Sequence, residues 1–204
     1  DDMLTTTLLA CRCPKFLSPA MNTAMYENPM VQDNLKILKK YGYKVITPAS
    51  GYLACGDTGS GKMPEPEILF QYIERELAGS KDLTGKKVLV TAGPTQENID
   101  PVRYITNHSS GKMGYAVAKA AMLRGAEVTL VSGQTALTPP MFVDYVQITT
   151  AEEMYQAVTS RSDEQDIIIK AAAVADYRPK TVYENKVKKQ DGQMSIELER
   201  TRDI

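Results

Sequence analysis

Residues 91–114 read TAGPTQENIDPVRYITNHSSGKMG, and they connect an apolar strand to a helix. The run KVLV at 87–90 predicts the strand, and the run SSGKMG at 109–114 predicts the start of the helix. A strand, a glycine-bearing loop and a helix N-terminus form a geometry that binds phosphate, because unpaired N–H groups and the helix dipole face the anion. This stretch therefore predicts an anion site at one edge of a sheet.

The spacing in this loop differs from the two common nucleotide-binding motifs. It contains neither G-x-x-x-x-G-K-[ST] nor G-x-G-x-x-G. An NAD(P)-dependent oxidoreductase, which is one alternative, would carry the second motif and an acidic residue at the end of the next strand. That strand instead ends in Leu130, Val131 and Ser132, so the sequence disfavours this alternative.

The composition limits the classes of function. The chain has 204 residues, 43% of them hydrophobic, and its 24 Lys and Arg residues nearly balance its 25 Asp and Glu residues. This balance argues against a nucleic-acid-binding surface. No apolar run approaches the roughly 18 residues of a membrane span. Three cysteines are too few for a disulfide framework, so we expect a cytoplasmic protein without membrane or nucleic-acid partners.

Helical and strand patterns alternate along the chain, which predicts an α/β fold with parallel sheets. The predicted helices lie at 3–11, 30–41, 64–77, 110–124 and 151–161. The predicted strands lie at 15–20, 44–47, 87–92, 127–132, 143–148, 166–173 and 194–198. Residues 23–29 and 51–63 are predicted to be loops, and the small polar stretch 78–85 is typical of a linker. We therefore expect two domains, 1–80 and 81–204.

The second domain is expected to be a doubly wound parallel sheet. Residues 166–173, which read DIIIKAAA, are predicted to be a continuous buried strand of the kind that a parallel sheet requires. The predicted helix at 110–124 would place Met113, Val117, Ala120 and Ala121 against the sheet.

Three segments are expected to meet at the carboxyl edge of this sheet, namely 93–114, 172–179 and 186–189. They would present Asn107, the N–H groups of 110–112 (Ser110, Gly111 and Lys112), Asp176 and Lys186. Lysine and N–H groups suit phosphates, and an aspartate suits a ribose hydroxyl or Mg²⁺. The convergence of these groups favours a site for a nucleoside triphosphate.

Each of these residues also has a purely structural interpretation. Asn107, Ser109 or Ser110 would serve equally well as a helix cap. Asp176 suits an ordinary turn, and a run of lysines suits a solvated strand edge.

Two residues of the first domain are candidates for chemistry. Cys55 lies between glycines in the loop 51–63, which suits an exposed working thiol or, alternatively, a small buried residue beside a turn. Asn22 follows a strand and a proline, so its amide would reach either a ligand carboxylate or the local backbone.

Five motifs together resemble the bifunctional coenzyme A biosynthesis family, which joins a phosphopantothenoylcysteine decarboxylase to a phosphopantothenate–cysteine ligase. They are SPAMNTAMY at 18–26, ACGDTGSGKMPEP at 54–66, the opening stretch at 91–114, AAAVADYRP at 171–179 and KVKK at 186–189. The resemblance implies the end of a flavodoxin-like flavoprotein domain over 1–80 and the first part of a Rossmann-like ligase domain over 81–204. It also implies that the 204-residue chain lacks both ends of this pair and is catalytically incomplete alone.

For the second domain, the resemblance implies CTP-dependent ligation with Mg²⁺. The carboxylate of 4′-phosphopantothenate would be activated as an acyl-cytidylate, and cysteine would displace CMP to give 4′-phosphopantothenoylcysteine. By similarity, Asn107 acts on the acyl-cytidylate and Lys186 assists its formation. The expected nucleotide-binding residues are Lys170, Ala171, Ala172, Asp176, Lys186, Ser110 and Gly111, with Asp176 also expected at the metal.

For the first domain, the resemblance implies FMN-dependent decarboxylation of 4′-phosphopantothenoylcysteine to 4′-phosphopantetheine. By similarity, Cys55 protonates the enethiolate and Asn22 binds the departing carboxylate. A homo-oligomer is also implied. The remaining alternative is a non-catalytic flavin- or nucleotide-binding regulatory subunit, which the presence of both Cys55 and Asn22 disfavours.

Overall fold

The structure, a computed structural model, describes residues 2–188 and 194–204. The chain divides into two compact units, Asp1–Ile73 and Glu74–Ile204. No helix in the described ranges is long and apolar enough to cross a membrane.

The first unit is built from short elements. Its helices are α1 (Met3–Ala10), α2 (Thr23–Tyr26) and α3 (Pro29–Lys40), and its strands are β1 (Phe16–Leu17), β2 (Lys44–Val45), β3 (Ala49–Tyr52) and β4 (Thr58–Lys62). Strands β1 and β2 pair in parallel, whereas β3 and β4 form an antiparallel hairpin. Helix α4 (Pro66–Leu77) follows this hairpin and continues into the second unit.

Both loops predicted for the first unit contain regular structure, so these predictions are wrong. Asn22 accepts a hydrogen bond from the Ala24 backbone N–H at 2.8 Å and thereby begins the one-turn helix α2. Strands β3 and β4 pair within the predicted loop 51–63, where glycines dilute the alternating pattern that would reveal a strand.

The second unit contains the larger sheet. Its strands are β5 (Lys87–Ala92), β6 (Gln96–Asn98), β7 (Tyr104–Thr106), β8 (Glu127–Ser132), β9 (Asp144–Gln147), β10 (Ile167–Lys170), β11 (Tyr177–Pro179) and β12 (Leu198–Arg200), and its further helices are α5 (Lys112–Leu123) and α6 (Ala151–Thr159). Four strands pair in parallel in the order β10-β5-β8-β9, which confirms the predicted parallel α/β fold. Two antiparallel pairs, β6 with β7 and β11 with β12, accompany it.

Alternate residues of β5 bury against opposite faces of this sheet. Val88 and Val90 belong to the apolar cluster formed with α5, and Leu89 belongs to the cluster formed with α6. This alternation places one helix on each face, as a doubly wound sheet requires.

The buried face of α5 differs from the predicted one. Met113 is 71% exposed and Ala120 is exposed, whereas Ala121 is buried and Val117 is partly buried. The buried residues are Gly114, Tyr115, Ala118, Ala121 and Met122. The prediction is therefore confirmed for Ala121 and Val117 and wrong for Met113 and Ala120, because the side of α5 that carries Gly114 lies against the sheet.

The last predicted strands are also corrected. Strand β10 is shorter than the predicted strand 166–173, and Ile167 and Ile168 are 38% and 40% exposed because β10 is an edge strand of the described sheet. The strand predicted at 194–198 lies at 198–200 instead. The predicted segment 186–189 includes Lys189, which lies outside the described residues.

We expect the substitution Gly114→Ala to destabilise the second unit. A Cβ at this position would lie 2.5 Å from the Ala92 Cβ and 2.9 Å from the Thr91 carbonyl oxygen. Overpacking costs about 1–3 kcal/mol and alanine regains about 1 kcal/mol of helix propensity, so we expect a net loss of up to about 2 kcal/mol. Thermal unfolding of the full-length protein measures this loss. Gly79→Ala is the control, since a Cβ there meets nothing within 4 Å, and equal melting temperatures for the two variants would contradict the prediction.

Candidate active sites

In the first unit, glycines let β4 lie directly against the segment that precedes α2. The Met21 backbone N–H donates to the Gly61 carbonyl at 3.0 Å, and the Thr23 hydroxyl donates to the Ser60 carbonyl at 2.8 Å. A Cβ on Gly61 would lie only 2.1 Å from the Met21 carbonyl oxygen. This close approach brings the two sequence motifs of the first unit together.

The result is a thiol placed between a donor and an acceptor. Asn22 Nδ2 donates to Cys55 Sγ at 3.2 Å, and Cys55 Sγ donates to Asp57 Oδ2 at 3.6 Å. Cys55 is exposed, which excludes the alternative of a small buried residue. The local-backbone interpretation of Asn22 is confirmed, since its Oδ1 caps α2, while its Nδ2 faces the thiol and its binding of a ligand carboxylate stays a prediction. Asp57 was not singled out from the sequence, although it follows Cys55 by two residues.

A cleft of about 440 Å³ opens beside this thiol. Asn22, Cys55 and Lys62 contribute polar groups, and Met21, Tyr52 and Met63 contribute apolar surface. Its volume lies in the range of small-molecule sites, and few polar groups on a largely apolar wall are typical of them.

In the second unit, the start of α5 packs against the end of β5. Gly93 adopts a left-handed conformation with φ of 71°, and its carbonyl accepts a hydrogen bond from the Ala173 backbone N–H at 2.9 Å. A Cβ on Gly111 would lie 3.4 Å from the Gly93 Cα, and one on Gly133 would lie 1.8 Å from the Pro94 carbonyl oxygen. Three glycines therefore hold the first turn of α5 close to the carboxyl ends of the strands.

Helix α5 has no side-chain cap. Its N-cap is Gly111, in a left-handed conformation with φ of 73°, and no side chain bonds to the first turn. The alternative that Asn107, Ser109 or Ser110 caps this helix is therefore wrong. The Ser109 hydroxyl instead accepts a bond from the Gly111 backbone N–H at 3.3 Å. The first-turn N–H groups keep their capacity to bind an anion.

Asn107 lies beside the segment 171–176. Its Nδ2 donates to the Val174 carbonyl at 3.0 Å and to the Ala173 carbonyl at 3.4 Å. Two threonines that the sequence did not indicate hold the same segment. Thr95 Oγ1 accepts from the Ala175 backbone N–H at 2.9 Å, and Thr91 Oγ1 accepts from the Ala172 backbone N–H at 3.3 Å and from that of Ala171 at 3.2 Å.

A cavity of about 270 Å³ lies next to this segment. It brings together Lys170, Ala172 and Asp176 of the expected nucleotide-binding set, and Thr91 also lines it. The amine of Lys170 donates to the Ile204 carbonyl at 2.6 Å. The other members of the same set do not line this cavity, namely Ala171, Ser110, Gly111 and Lys186.

The sequence led us to expect a metal ion at Asp176. Within residues 2–188 and 194–204, no group of three His, Cys, Asp or Glu side chains is arranged to hold a metal ion. Mg²⁺ often takes one or two carboxylates together with phosphate oxygens, so its expected binding to Asp176 stays a prediction.

Lys186 is exposed and adjoins a backbone that is bound to the loop 91–114. The Val187 N–H donates to Asp100 Oδ2 at 3.2 Å, and Arg103 Nη2 donates to the Val187 carbonyl at 3.1 Å. Asp100 is buried, and the Arg103 guanidinium beside it holds the pKa of its carboxyl well below the usual range. The sequence indicated neither residue, although both lie within the opening stretch.

Family models match both parts of the chain. The model of the DNA/pantothenate metabolism flavoprotein C-terminal domain matches residues 83–204, and the flavoprotein model matches residues 1–78. The chain belongs to the DNA/pantothenate metabolism flavoprotein family.

Relatives confirm the resemblance to the bifunctional coenzyme A biosynthesis family. The coenzyme A biosynthesis bifunctional protein CoaBC of Bacillus subtilis (strain 168) is 51% identical over 207 residues, which cover 100% of this chain and 51% of the relative. The protein of the same name from Mycobacterium bovis is 46% identical over 210 residues, covering 100% of this chain and 50% of the relative. This chain thus spans about half the length of the curated relatives that it matches.

Two solved structures share its fold. The C-terminal domain of a coenzyme A biosynthesis bifunctional protein CoaBC is 55% identical, with a TM-score of 0.54, and the match covers 61% of this chain and 58% of that one. A DNA/pantothenate metabolism flavoprotein from Streptococcus pneumoniae is 28% identical, with a TM-score of 0.53, and the match covers 59% of this chain and 62% of that one.

Proposed function

We propose that the chain carries parts of two enzymes of coenzyme A biosynthesis. Residues 81–204 belong to a Rossmann-like, CTP-dependent phosphopantothenate–cysteine ligase domain, and residues 1–80 belong to an FMN-dependent phosphopantothenoylcysteine decarboxylase domain. One observation carries the proposal for the ligase: the uncapped start of α5, the Asn107 amide and the segment 171–176 are joined around Gly93 by short contacts.

This arrangement supports the binding of a nucleoside triphosphate. The uncapped first turn of α5, which begins at Lys112 directly after Ser110 and Gly111, offers its N–H groups to phosphate oxygens. The cavity lined by Lys170 and Ala172, which flank Ala171 in the chain, takes the nucleoside, with the Asp176 carboxylate for a ribose hydroxyl or for Mg²⁺.

Asn107 and Lys186 are assigned to the chemistry of ligation. A free carboxylate is a poor electrophile, whereas the mixed anhydride with a nucleotide has a good leaving group, so cysteine's amine displaces CMP readily. The Asn107 amide is held at 3.0 Å from the Val174 carbonyl, which fixes its orientation beside the acyl-cytidylate. The Lys186 ammonium neutralises the phosphate charge that develops when the anhydride forms.

In the decarboxylase, the groups around the cleft have complementary tasks. Cys55 donates a proton to the enethiolate carbon that remains after CO₂ leaves, and Asn22 Nδ2 binds the carboxylate before it departs. Asp57 Oδ2, which accepts the thiol hydrogen at 3.6 Å, orients that proton. The apolar surface of Met21, Tyr52 and Met63 suits a flavin ring. When bound, FMN would supply the oxidation of the substrate thiol that makes the loss of CO₂ easy, and in its reduced form it would return the hydride that restores the thiol.

The proposal is tested on the full-length protein with 4′-phosphopantothenate, cysteine, CTP and Mg²⁺. We expect release of pyrophosphate that depends on 4′-phosphopantothenate and CTP, formation of 4′-phosphopantothenoylcysteine after cysteine is added, and then release of CO₂. Two control reactions replace CTP with ATP and Mg²⁺ with EDTA. Absence of pyrophosphate release with all components present would overturn the ligase assignment, and absence of CO₂ from synthetic 4′-phosphopantothenoylcysteine would overturn the decarboxylase assignment.

A further inference from the structure

Asp100 is a buried carboxylate whose two oxygens have different tasks. Its side chain is fully buried. Oδ1 accepts the backbone N–H groups of Val102 and Arg103, both at 2.9 Å, which is the ordinary pattern of an aspartate in a turn. Oδ2 binds the Arg103 side chain through Nε at 3.0 Å and through Nη2, and it also accepts the Val187 N–H at 3.2 Å. The turn therefore explains the hydrogen bonds of Oδ1 but not those of Oδ2.

The contacts of Oδ2 belong to a clamp on a distant segment. The Val187 N–H is bound by Asp100, the Val187 carbonyl is bound by Arg103 Nη2 at 3.1 Å, and the Tyr183 N–H donates to the Ile99 carbonyl at 3.0 Å. Residues 183–187 belong to no helix or strand. These three hydrogen bonds therefore hold the segment in place of the regular hydrogen bonds between paired strands. Both backbone groups of Val187 are fixed by one ion pair.

The clamp belongs to the same loop that carries Asn107. Residues 99–103 form the turn between β6 and β7, and Asn107 follows β7 directly. Asn107 is fixed through the carbonyls of the segment 171–176, and the backbone next to Lys186 is fixed through Asp100. The loop thus sets the position of two residues that come from different parts of the sequence.

We propose that Asp100 is a positioning residue of the ligase, which acts by holding Val187 so that Lys186 starts from a fixed backbone. This inference rests on the function proposed above. A flexible lysine loses rotamer freedom when it binds a phosphate, and a mobile backbone would add to that loss. Because Val187 is already fixed, the backbone next to Lys186 has no conformational freedom left to lose when the nucleotide binds.

Amide hydrogen exchange in the full-length protein tests the clamp without reference to activity. In Asp100→Asn, the carboxamide places an NH₂ group where one oxygen accepted donors, so we expect the Val187 amide to exchange about 10-fold faster or more. Asp166→Asn is the matched control. Asp166 also accepts a backbone N–H, from Lys87 at 2.8 Å, and pairs with Lys86, but it lies at the opposite edge of the sheet. Unchanged exchange of Val187 in Asp100→Asn would overturn the clamp.

A double-mutant cycle with Lys186→Ala tests the role in ligation. If Asp100 acts through Lys186, Asp100→Asn lowers kcat for ligation about 10-fold in the wild type and less than about threefold in the Lys186→Ala background. Decarboxylation and the Asp166→Asn control stay unchanged. Equal losses in both backgrounds would assign Asp100 a general structural role and overturn the proposal. A failure of the proposed function can be told apart from a failure of this inference. In the first case wild-type protein releases no pyrophosphate, while the hydrogen exchange of the Val187 amide still reports the clamp.

Discussion

Cys55→Ser is expected to lower decarboxylation of 4′-phosphopantothenoylcysteine by about 100- to 1,000-fold in the full-length protein, with ligation unchanged. A serine hydroxyl is a far weaker acid than a thiol, so it transfers a proton to carbon poorly. The smaller oxygen also weakens the contacts that the sulfur makes with Asn22 at 3.2 Å and with Asp57 at 3.6 Å. Release of CO₂ and release of pyrophosphate, measured on the same preparation, give the two activities.

The control for this substitution is Cys13→Ser, which makes the same chemical change at another exposed cysteine of the first unit. We expect both of its activities to match the wild type. Loss of both activities in Cys55→Ser would indicate misfolding, and no loss of either would contradict the role of Cys55. The second outcome would also revive the alternative of a non-catalytic subunit.

The parallel sheet was predictable because its strands have a local signature. Val88, Leu89 and Val90 are apolar on both faces, as a strand covered by helices on both sides must be. The glycine-rich hairpin of β3 and β4 was missed for the opposite reason. Its glycines allow the hairpin to pack closely against residues 21–23, and a glycine has no side chain from which burial can be inferred.

The candidate sites were predictable only in part. Cys55, Asn22 and Asn107 belong to recognisable motifs, whereas Thr95 and Asp100 work through the backbone of residues far along the chain. Thr95 binds Ala175, which is 80 residues away, and Asp100 binds Val187, which is 87 residues away. A local pattern carries no information about such pairs, since only the topology of the sheet brings them together.

Asn107→Asp is expected to lower ligation by about 100- to 1,000-fold, with decarboxylation unchanged. The substitution removes the NH₂ group that donates to the carbonyls of Val174 at 3.0 Å and of Ala173 at 3.4 Å. It also places a carboxylate beside those carbonyl oxygens and beside the bound phosphates, where a negative charge is repelled. Formation of 4′-phosphopantothenoylcysteine and release of pyrophosphate together show whether the loss falls on anhydride formation or on displacement by cysteine.

Asn98→Asp is the matched control, because it makes the same change at an exposed position of the β6–β7 hairpin, which Asn107 directly follows. A general effect of added negative charge on this loop would lower ligation in both variants, whereas a role for the Asn107 amide lowers it only in Asn107→Asp. Asn107→Ala separates the two causes within the site. Alanine removes the amide without adding charge, so a loss in Asn107→Ala measures the amide and any further loss in Asn107→Asp measures the repulsion of the phosphates. Wild-type ligation in Asn107→Ala would contradict a role for this amide in the chemistry.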